Sequence, residues 1–516
     1  MPLGISPFGS SFVVNINIIY ICKIIANILQ ILILKYNKTF MQTHKFKWKL
    51  FDVEYSSVRL LELEGEKRLS SEYYDVEYIK VYNNILTKSN EIFFDNIIDF
   101  SSWKNLIQSE KWTPFLRTQN IKSISIDENW LSYTEEGNLK LLESWDLIFV
   151  RVWWAWDSSV VYWKMIWWTF SDNVLRLKLK NINPFYSSVF FNSSLWRAYF
   201  KHVIKWTAQP LISKENFKNL LIPIPSSTFQ EKIEELVIES YKQKELSEKL
   251  YKEAETLLLT ELDLFDYKPK TKNINLISWY SLEVLENHST TNYSILKELD
   301  RFDAEYFDYS YFEIIEKIKN YKWWFDKLIN LAKLSKKKII LDEEQNYNYI
   351  ELADINKSNW MVENTTEILW KNLPSRARMK IEKWSVLFSS LDGSIDKVAI
   401  VDINLENLVA STWFFIFKEN ILNKETLLVL LKIFWQKYIS REALGSIMSA
   451  ISNTGIERVL LPKIEDKIQK IVSQKIQESF TSKTKSKNLL EIAKKAVEIY
   501  IEEDEENGFE FINTNV

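Results

Sequence analysis

The chain has 516 residues, of which 46% are hydrophobic and 26% are charged, and its formal net charge is −3 at pH 7. This composition is typical of a folded protein with several domain-sized units and excludes a disordered chain. The near-neutral charge argues against a uniformly basic nucleic-acid coat, although it does not exclude local basic patches. Because Cys22 is the only cysteine and the three histidines are far apart, we expect no disulfide framework and no His/Cys metal site.

Residues 1–40 contain the only membrane-like run of the sequence, 11–36, which polar residues including Asn15, Lys23 and Gln30 interrupt. A domain-like pattern of polar and charged residues begins at Met41. We therefore interpret 1–40 as translated upstream sequence and expect a cytoplasmic protein that does not contact a membrane. A signal anchor over 11–36 is the alternative.

The sequence contains an internal repeat. RLSSEYYDVEY (68–78) matches RFDAEYFDYSY (301–311) at an offset of 233 residues. LLESWDLIFV (141–150) matches KIEKWSVLFS (380–389), which aligns Trp145 with Trp384 at an offset of 239 residues, and the same offset aligns Pro223 with Pro462. The chain is therefore predicted to consist of two copies of one module.

The tryptophan content is abnormal. The chain has 21 Trp and only 8 Gly, and the stretch RVWWAWDSSVVYWKMIWWTF (151–170) holds six of the tryptophans. At the offset of 239, Trp154 aligns with Gly393 and Trp206 with Gly445, exchanges of size that packing does not routinely tolerate. We therefore predict that a codon read as glycine in the source cell, such as a reassigned UGA, is translated here as tryptophan, so that many tryptophans stand at glycine positions while others are genuine.

Hydrophobic periodicity divides each copy into a mixed α/β module and a long helix. Short β-branched and aromatic runs, followed by one helical stretch, form the module. From Thr228 to Leu262 and from Glu465 to Glu503, apolar residues recur every three or four positions. Each stripe is wider than a lone surface helix needs, so we expect the two helices to form an antiparallel coiled coil. The fold class is α/β (α+β), with an N-terminal extension (1–40), first module (41–225), first long helix (226–266), linker (267–295), second module (296–462), second long helix (463–503) and solvated acidic tail (504–516).

The order and duplication of several motifs carry a family resemblance. These motifs are RFDAEYF (301–307), YIELADI (349–355), PSRARM (374–379), IEKWSVLFSSLDGSIDKVAIV (381–401), LVASTWFFIF (408–417) and LLPKIEDKIQKIV (460–472). The chain resembles the specificity subunit of type I restriction-modification systems over roughly residues 50 to 500. The resemblance implies that both modules are target recognition domains, each reading half of a split double-stranded DNA target. It also implies a coiled coil that spaces the halves and docks methyltransferase subunits and the restriction subunit. The chain itself would then be non-catalytic and bind no cofactor.

Basic and hydroxyl side chains are the candidate DNA contacts. In PSRARMK, Arg376, Arg378 and Lys380 alternate along an extended segment, where they suit phosphates or the O6/N7 edge of guanine. A solvated edge strand or a structural arginine would explain them equally. The other candidates are Arg117, Arg151 and Lys164 in the first module, and Ser389, Ser390 and Lys397 around the LDGS turn of the second.

Two functions from other classes compete with this interpretation. A DNA adenine methyltransferase is the main alternative, because NPFY (183–186) resembles the Asn-Pro-Pro-aromatic motif that holds a flipped adenine, although the second proline is missing. A membrane-tethered coiled-coil scaffold built on 11–36 is the second alternative. The sequence has no phosphate-binding glycine loop, metal-spaced His/Cys set or Ser/His/Asp triad pattern.

Overall fold

A computed structural model describes residues 76–267 and 301–516, apart from gaps at 90, 129–130, 153–156, 204–216, 219, 302–305, 307–308, 341, 343, 356–359, 363–364, 395–396 and 445–448. The predicted N-terminal extension, residues 68–75 of the repeat and most of the linker lie outside these residues. The chain divides into two compact units, 1–226 with 497–508, and 227–496 with 509–516.

The first unit is a mixed α/β structure. Its helices are α1 (Val76–Lys88), α2 (Pro184–Phe191) and α3 (Ser194–Val203). Its strands are β1 (Glu91–Ile92), β2 (Ile97–Ser101), β3 (Thr113–Leu116), β4 (Ile121–Lys122), β5 (Ser125–Ile126), β6 (Ser132–Thr134), β7 (Leu147–Val150), β8 (Ser158–Val160), β9 (Thr169–Phe170), β10 (Val174–Leu179) and β11 (Leu221–Ile222).

The second unit has the same mixture of elements. Its helices are α4 (Ser227–Glu261), α5 (Tyr309–Lys319), α6 (Leu328–Leu331), α7 (Lys424–Lys437), α8 (Asn453–Ile456), α9 (Asp466–Glu502) and α10 (Glu505–Asn515), of which α9 and α10 extend into the first unit. Its strands are β12 (Phe325–Lys327), β13 (Lys333–Ser335), β14 (Asn346–Ile350), β15 (Thr366–Leu369), β16 (Ala377–Lys380), β17 (Val386–Ser389), β18 (Val398–Ile400), β19 (Leu408–Ser411), β20 (Phe414–Lys418), β21 (Ala443–Leu444), β22 (Ala450–Ile451) and β23 (Leu460–Pro462).

The two units share their strand connectivity. The first unit has a four-stranded sheet in the order β2-β10-β7-β8, and the second has one in the order β13-β20-β17-β18. Each unit also has a mixed sheet in which one parallel pair, β3–β9 or β14–β19, adjoins one antiparallel pair, β3–β6 or β14–β15. A small antiparallel sheet then joins the first strand of each unit to its last, β1 to β11 and β12 to β23. The fold class predicted from the sequence, mixed α/β with two long helices, is confirmed.

Apolar strands and helices enclose the core of each unit. In the first unit, β7 is buried along its whole length, and Phe149 packs edge-to-face on Phe191 of α2. Helix α2 begins at Pro184 because Asn183 caps it, accepting hydrogen bonds from the next free backbone N–H groups. In the second unit, α7 buries Trp435 edge-to-face against Phe388 of β17.

Helices α4 and α9 are paired antiparallel within the second unit. Ser240 contacts Ser486, Ser247 contacts Ser479, and Glu253 contacts Lys475, so residue numbers rise along one helix as they fall along the other. The helical bounds, 227–261 and 466–502, lie inside the predicted ranges of 226–266 and 463–503. The antiparallel pairing expected from the two apolar stripes is therefore present.

The centre of this helix pair is polar. Ser240 and Ser247, seven residues apart on α4, face Ser486 and Ser479, seven apart on α9, and all four are buried. The Ser240 hydroxyl donates to the backbone oxygen of Ser486, and the Ser479 hydroxyl donates to that of Ser247. The stripe of large apolar residues predicted for α4 is thus interrupted by serines, which satisfy their hydroxyls against the opposite backbone.

The acidic tail differs from the prediction that residues 504–516 are solvated. They form α10, whose Phe509 packs edge-to-face on Phe229 of α4 with ring centroids 5.1 Å apart. Ile512 is fully buried. Phe509 and Ile512 lie three residues apart on one helical face, and the burial of this face outweighs the acidic character of the preceding residues.

Backbone conformation supports the prediction that tryptophan stands at positions of natural glycine. Among the residues with described backbone, eleven non-glycine residues have positive φ, and six of these are tryptophans: Trp112, Trp145, Trp167, Trp324, Trp360 and Trp384. Left-handed backbone disfavours residues with a Cβ and is normally occupied by glycine. Trp196 and Trp435, in contrast, lie fully buried in helices, as genuine core tryptophans do.

The repeat reproduces these left-handed positions. Trp145 (φ 73°) and Trp384 (φ 69°) each occupy the third position of a turn that precedes a buried strand, and their N–H groups bind Val161 and Val401 respectively. Trp167 (φ 77°) corresponds at an offset of 240 to Asn407 (φ 54°), and asparagine is the residue after glycine that best tolerates this conformation. Trp154, Trp206 and Gly445, which the repeat aligns with Gly393 or with each other, lie outside the described residues. Gly393 has no positive φ, and a Cβ there would meet no atom within 4 Å.

In the part of the chain that the structure describes, no helix is long and apolar enough to cross a bilayer. The predicted membrane-like run, 11–36, lies outside that part.

Candidate nucleic-acid interface

Basic residues concentrate where two segments of the second unit lie side by side. Strand β16 is at the edge of its sheet, and the segment 336–340 runs antiparallel to it. The Ile339 N–H donates to Arg378 O, and the Lys380 N–H donates to Lys337 O, both at 3.0 Å. These hydrogen bonds bring together six basic residues, which we call the basic strip: Lys336, Lys337, Lys338, Arg376, Arg378 and Lys380.

The basic strip is only partly neutralised. Carboxylates pair with three of its members, with N–O distances of 3.1 Å for Lys336–Glu457, 3.7 Å for Lys337–Glu382 and 3.2 Å for Arg376–Glu351. Among the described residues, the other three members, Lys338, Arg378 and Lys380, have no ion-pair partner. Like charges on adjacent strands repel one another. A cluster that carboxylates neutralise only in part is suited to a polyanion, whose charge removes the remaining repulsion.

Arg376 is the member of the strip with the most defined side chain. Its Nε donates to the Tyr349 hydroxyl at 3.3 Å, and its Nη2 donates to Glu351 Oε2 at 3.2 Å. The hydrogen bond that Arg376 donates to the Tyr349 hydroxyl raises the pKa of Arg376, with the Glu351 carboxylate acting in the same direction. Half of the Arg376 side chain nevertheless remains exposed, at 50%. The guanidinium is therefore both held in place and accessible.

The structure does not make three of the other predicted contacts available. Ser389 is fully buried and its hydroxyl accepts from the Leu391 N–H, while the buried Ser390 donates its hydroxyl to Trp413 O. Lys397 donates its ammonium to the backbone oxygen of Leu352. These side chains hold the LDGS turn against its neighbours, so we leave them out of the proposed contact set. The sequence could not show that these side chains are engaged within the module, because a buried serine at a strand end and an exposed serine in a loop have the same local sequence pattern.

The candidates of the first unit lie in separate surroundings. Arg117 donates from Nη2 to Gln108 Oε1 at 3.0 Å and lies over the Phe115 ring, 5.1 Å from its centroid. Arg151 is partly buried and donates to Asp172 O at 3.4 Å. Lys164 lies 3.9 Å from Glu128. No described hydrogen bond or ion pair joins the three. Of the two arginines, Arg117 is the one whose guanidinium binds a side-chain oxygen and also lies over an aromatic ring in the described contacts.

Lys336, Lys337 and Lys338 were missed by the sequence analysis. The signal was present as the run SKKKII, which is the densest basic run near the PSRARMK motif. What the sequence does not contain is the pairing of this run with 376–380, a contact between segments about 40 residues apart. Only that pairing converts two modest basic runs into one surface.

The acidic residues of the first unit stabilise its core. The Arg176 guanidinium, 8% exposed, lies 2.5 Å from the fully buried Asp146, 3.1 Å from Glu143 and 3.4 Å from Asp99. Burial raises the pKa of Asp146, whereas the hydrogen bond from Lys178 lowers the pKa of Glu143. Such a network neutralises a buried arginine next to the Trp145 turn and fits a structural role.

The NPFY motif has a structural role in this fold. The Asn183 carboxamide oxygen accepts from the N–H groups of Phe185 and Tyr186, and the buried Tyr186 hydroxyl donates to Pro223 O at 2.6 Å. Burial raises the pKa of Tyr186 well above its ordinary value. The motif therefore caps α2 and ties it to the proline-terminated end of the module, and the polar atoms of Asn183 and Tyr186 that form these bonds are engaged within the module. Within the described ranges, no group of three or more His, Cys, Asp or Glu could hold a metal ion.

Comparison with known proteins yields matches among solved structures alone. No protein-family model matches the sequence, and no curated protein matches it significantly. The type I restriction-modification system S subunit from M. genitalium is 11% identical, with a TM-score of 0.41, over 80% of this chain and 94% of that one. The HsdS subunit from Thermoanaerobacter tengcongensis is 12% identical, with a TM-score of 0.24, over 80% of this chain and 96% of that one.

A third match is a chain from a structural study of complex assembly and conformational transition in the type I restriction-modification system. It is 12% identical, with a TM-score of 0.26, over 77% of this chain and 91% of that one. Over about four fifths of its length, the chain is thus similar to S subunits of type I restriction-modification systems.

Proposed function

We propose that the chain is the specificity subunit of a type I restriction-modification complex, which binds a bipartite double-stranded DNA target in the cytoplasm. The observation that supports this most is the shared strand connectivity of two modules, each followed along the chain by a long helix, with the two helices paired antiparallel. Two binding modules on one stiff spacer make the second contact intramolecular and fix the separation of the half-sites. This arrangement gives affinity and spacing without catalytic chemistry.

The basic strip supports nucleic acid as the ligand of the second module. Lysines on flexible stems neutralise phosphates, and the release of condensed counterions then makes affinity depend on salt. A net charge of −3 for the whole chain is compatible with such binding, because the six basic residues of the strip have only three paired carboxylates and form a local excess of positive charge.

The proposed partners are the methyltransferase subunits and the restriction subunit. In this proposal they dock on the helix pair, whose seam is buried and whose outer faces are charged, and they perform methylation and cleavage. The specificity subunit itself is not an enzyme. Isolated full-length chain should therefore show no heat of binding with S-adenosylmethionine in calorimetry, whereas the alternative, a DNA adenine methyltransferase, requires such binding.

Salt-dependent DNA binding tests the proposal. Full-length chain is titrated with labelled random-sequence duplexes by fluorescence anisotropy, from about 50 to 200 mM KCl. We expect log Kd to rise linearly with log salt. Replacing Lys336, Lys337 and Lys338 together by Gln should lower that slope by about 0.9 for each lysine that contacts a phosphate.

A matched triple variant controls for the loss of three charges. Lys467, Lys470 and Lys487 are exposed on α9, outside the modules, and their replacement by Gln removes the same charge. The slope of this control should stay that of the unmodified chain. If the full-length chain binds no duplex at any of these salt concentrations, the proposed function is wrong.

A further inference from the structure

The two units place an aromatic residue at the same position of the same strand. Phe115 in β3 pairs in parallel with Thr169, and Tyr349 in β14 pairs in parallel with Val409. Both rings are buried, and both strands end in a short 3-10 helix, Thr118–Asn120 or Leu352–Asp354. We call each strand end with its 3-10 helix a corner. The two corners occupy the same structural position in the two copies.

The corners share their capping hydrogen bonds as well. In the first, the Arg117 N–H donates to Asn120 Oδ1 at 3.0 Å, and in the second the Glu351 N–H donates to Asp354 Oδ2 at 2.7 Å. The offset between the copies is 234 residues for each of these pairs. At that offset, Arg117 corresponds to Glu351.

Each corner nevertheless has one arginine on its aromatic residue, supplied from a different place in the chain. Arg117 lies over the Phe115 ring, whereas Arg376, from the entry to β16, donates to the Tyr349 hydroxyl. Each arginine also has a second anchor, Gln108 for the first and Glu351 for the second. Arginines from two different sequence positions thus produce the same arrangement, a tethered guanidinium at the same corner of each module.

A tethered guanidinium differs from the lysines of the basic strip in what it can recognise. The planar fork of arginine matches the O6 and N7 acceptors of guanine in the major groove, and a fork that is already held loses little side-chain entropy when it binds. Beyond the anchoring bonds, the N–H groups of both guanidinia have no partner among the described residues, and both side chains are partly exposed. Lysines, in contrast, suit phosphates as point charges.

We infer that Arg117 and Arg376 are the base-reading residues of the two modules, each contacting a guanine in its own half-site. This inference rests on the proposed bipartite DNA recognition. Lys336, Lys337, Lys338 and Lys380 then provide the sequence-independent phosphate contacts of the second module. Sequence preference and salt dependence are therefore carried by different residues.

Selection from a randomised duplex library separates the two roles. Full-length chain, Arg117→Gln and Arg376→Gln are each incubated with the library, and the bound fraction is sequenced. For the unmodified chain we expect two preferred blocks at a constant separation. Arg376→Gln should lose a guanine preference in one block only, Arg117→Gln in the other, and each should weaken its own full site about 5- to 150-fold.

Conservative variants show whether the anchor matters and guard against misfolding. Tyr349→Phe keeps Arg376 and removes only its hydroxyl anchor, as Phe115 already does in the first module. It should reduce the same guanine preference by less than Arg376→Gln does, with an unchanged salt slope. Lys338→Gln should weaken all sequences alike. Thermal unfolding of each variant, matched to that of the parent chain, confirms that the modules remain folded.

Three results would overturn the inference. In the first, both guanine preferences persist in the arginine variants. In the second, both variants alter the same block. In the third, each variant weakens binding to all sequences equally and lowers the salt slope, which is the behaviour of a phosphate contact. If the unmodified chain selects no bipartite sequence, the proposed function fails, and that result is distinct from the other three.

Discussion

Replacing Trp167 by glycine should stabilise the first unit. Trp167 is the third residue of a turn in which the Trp168 N–H donates to Met165 O, with Ile166 at φ −59°, ψ 134° and Trp167 itself at φ 77°. These angles define a type II turn, whose third residue is normally glycine or asparagine. The indole is 69% exposed, so removing it costs little buried area.

The expected gain follows from two opposing terms. A residue with a Cβ in left-handed backbone costs about 1–2 kcal/mol. Glycine offsets about 0.4–1 kcal/mol of the stability gained by relieving this strain, because it increases the conformational freedom of the unfolded chain. Trp167→Gly should therefore raise the free energy of unfolding by about 1 kcal/mol, or about 2–4 °C in Tm for a unit of this size. Trp167→Asn should give a smaller gain, as Asn407 occupies the equivalent position of the second unit.

Trp163 provides the matched control. It lies four residues away and is 57% exposed, but it begins a 3-10 helix and is not among the positive-φ residues. Trp163→Gly should destabilise the protein by about 0.5–1 kcal/mol, because glycine there only adds unfolded-state entropy. Urea unfolding followed by circular dichroism measures both variants. If Trp167→Gly lowers stability as much as Trp163→Gly does, positive φ does not mark the glycine positions. Mass spectrometry that finds tryptophan at 167 in the natural protein would refute recoding at that position.

Three further changes test the packing. Arg176→Gln leaves Asp146 as an unpaired buried carboxylate and should lower the free energy of unfolding by about 3–5 kcal/mol in urea titrations; a change below about 1 kcal/mol would contradict a structural network. Ser240→Ala removes a buried hydroxyl-to-carbonyl hydrogen bond and should lower the free energy of unfolding by about 1 kcal/mol. Ser240→Leu should lower it by about 1–3 kcal/mol, because the larger side chain crowds the contact between the two helices. A leucine variant as stable as the unmodified chain would show that the helices are not in close contact there. Lys475 holds the pKa of Glu253 below its ordinary value of 4.5, so the pair stabilises the helices above that pH and is lost as the pH falls through the lowered value. The free energy of unfolding of Glu253→Gln should therefore depend less on pH between about 5 and 3 than that of the unmodified chain. An unchanged pH dependence would argue against the ion pair.

The candidate interface shows which features local patterns can reveal. Alternation of Arg376, Arg378 and Lys380 is visible in the sequence because a strand repeats every two residues. The burial of Ser389 and Ser390 is not visible, since it depends on which strands lie beside β17. Likewise, the tethering of Arg376 requires Tyr349 and Glu351, which approach it only when β14 and β16 join one sheet around β19.

By itself, the sequence determined the mixed α/β class, the two long helices and the anomalous tryptophans, and it predicted the two-copy organisation. These features follow from composition, short-range periodicity and self-similarity, all of which are encoded between neighbours or between copies. Tertiary structure alone decided the serine-lined centre of the helix pair, the packing of α10 through Phe509, the assembly of the basic strip and the recurrence of a tethered arginine at the same corner of both modules. Each of these depends on contacts between distant segments, and such contacts are selected by the burial of whole faces and the pairing of strands, which no local run of residues specifies.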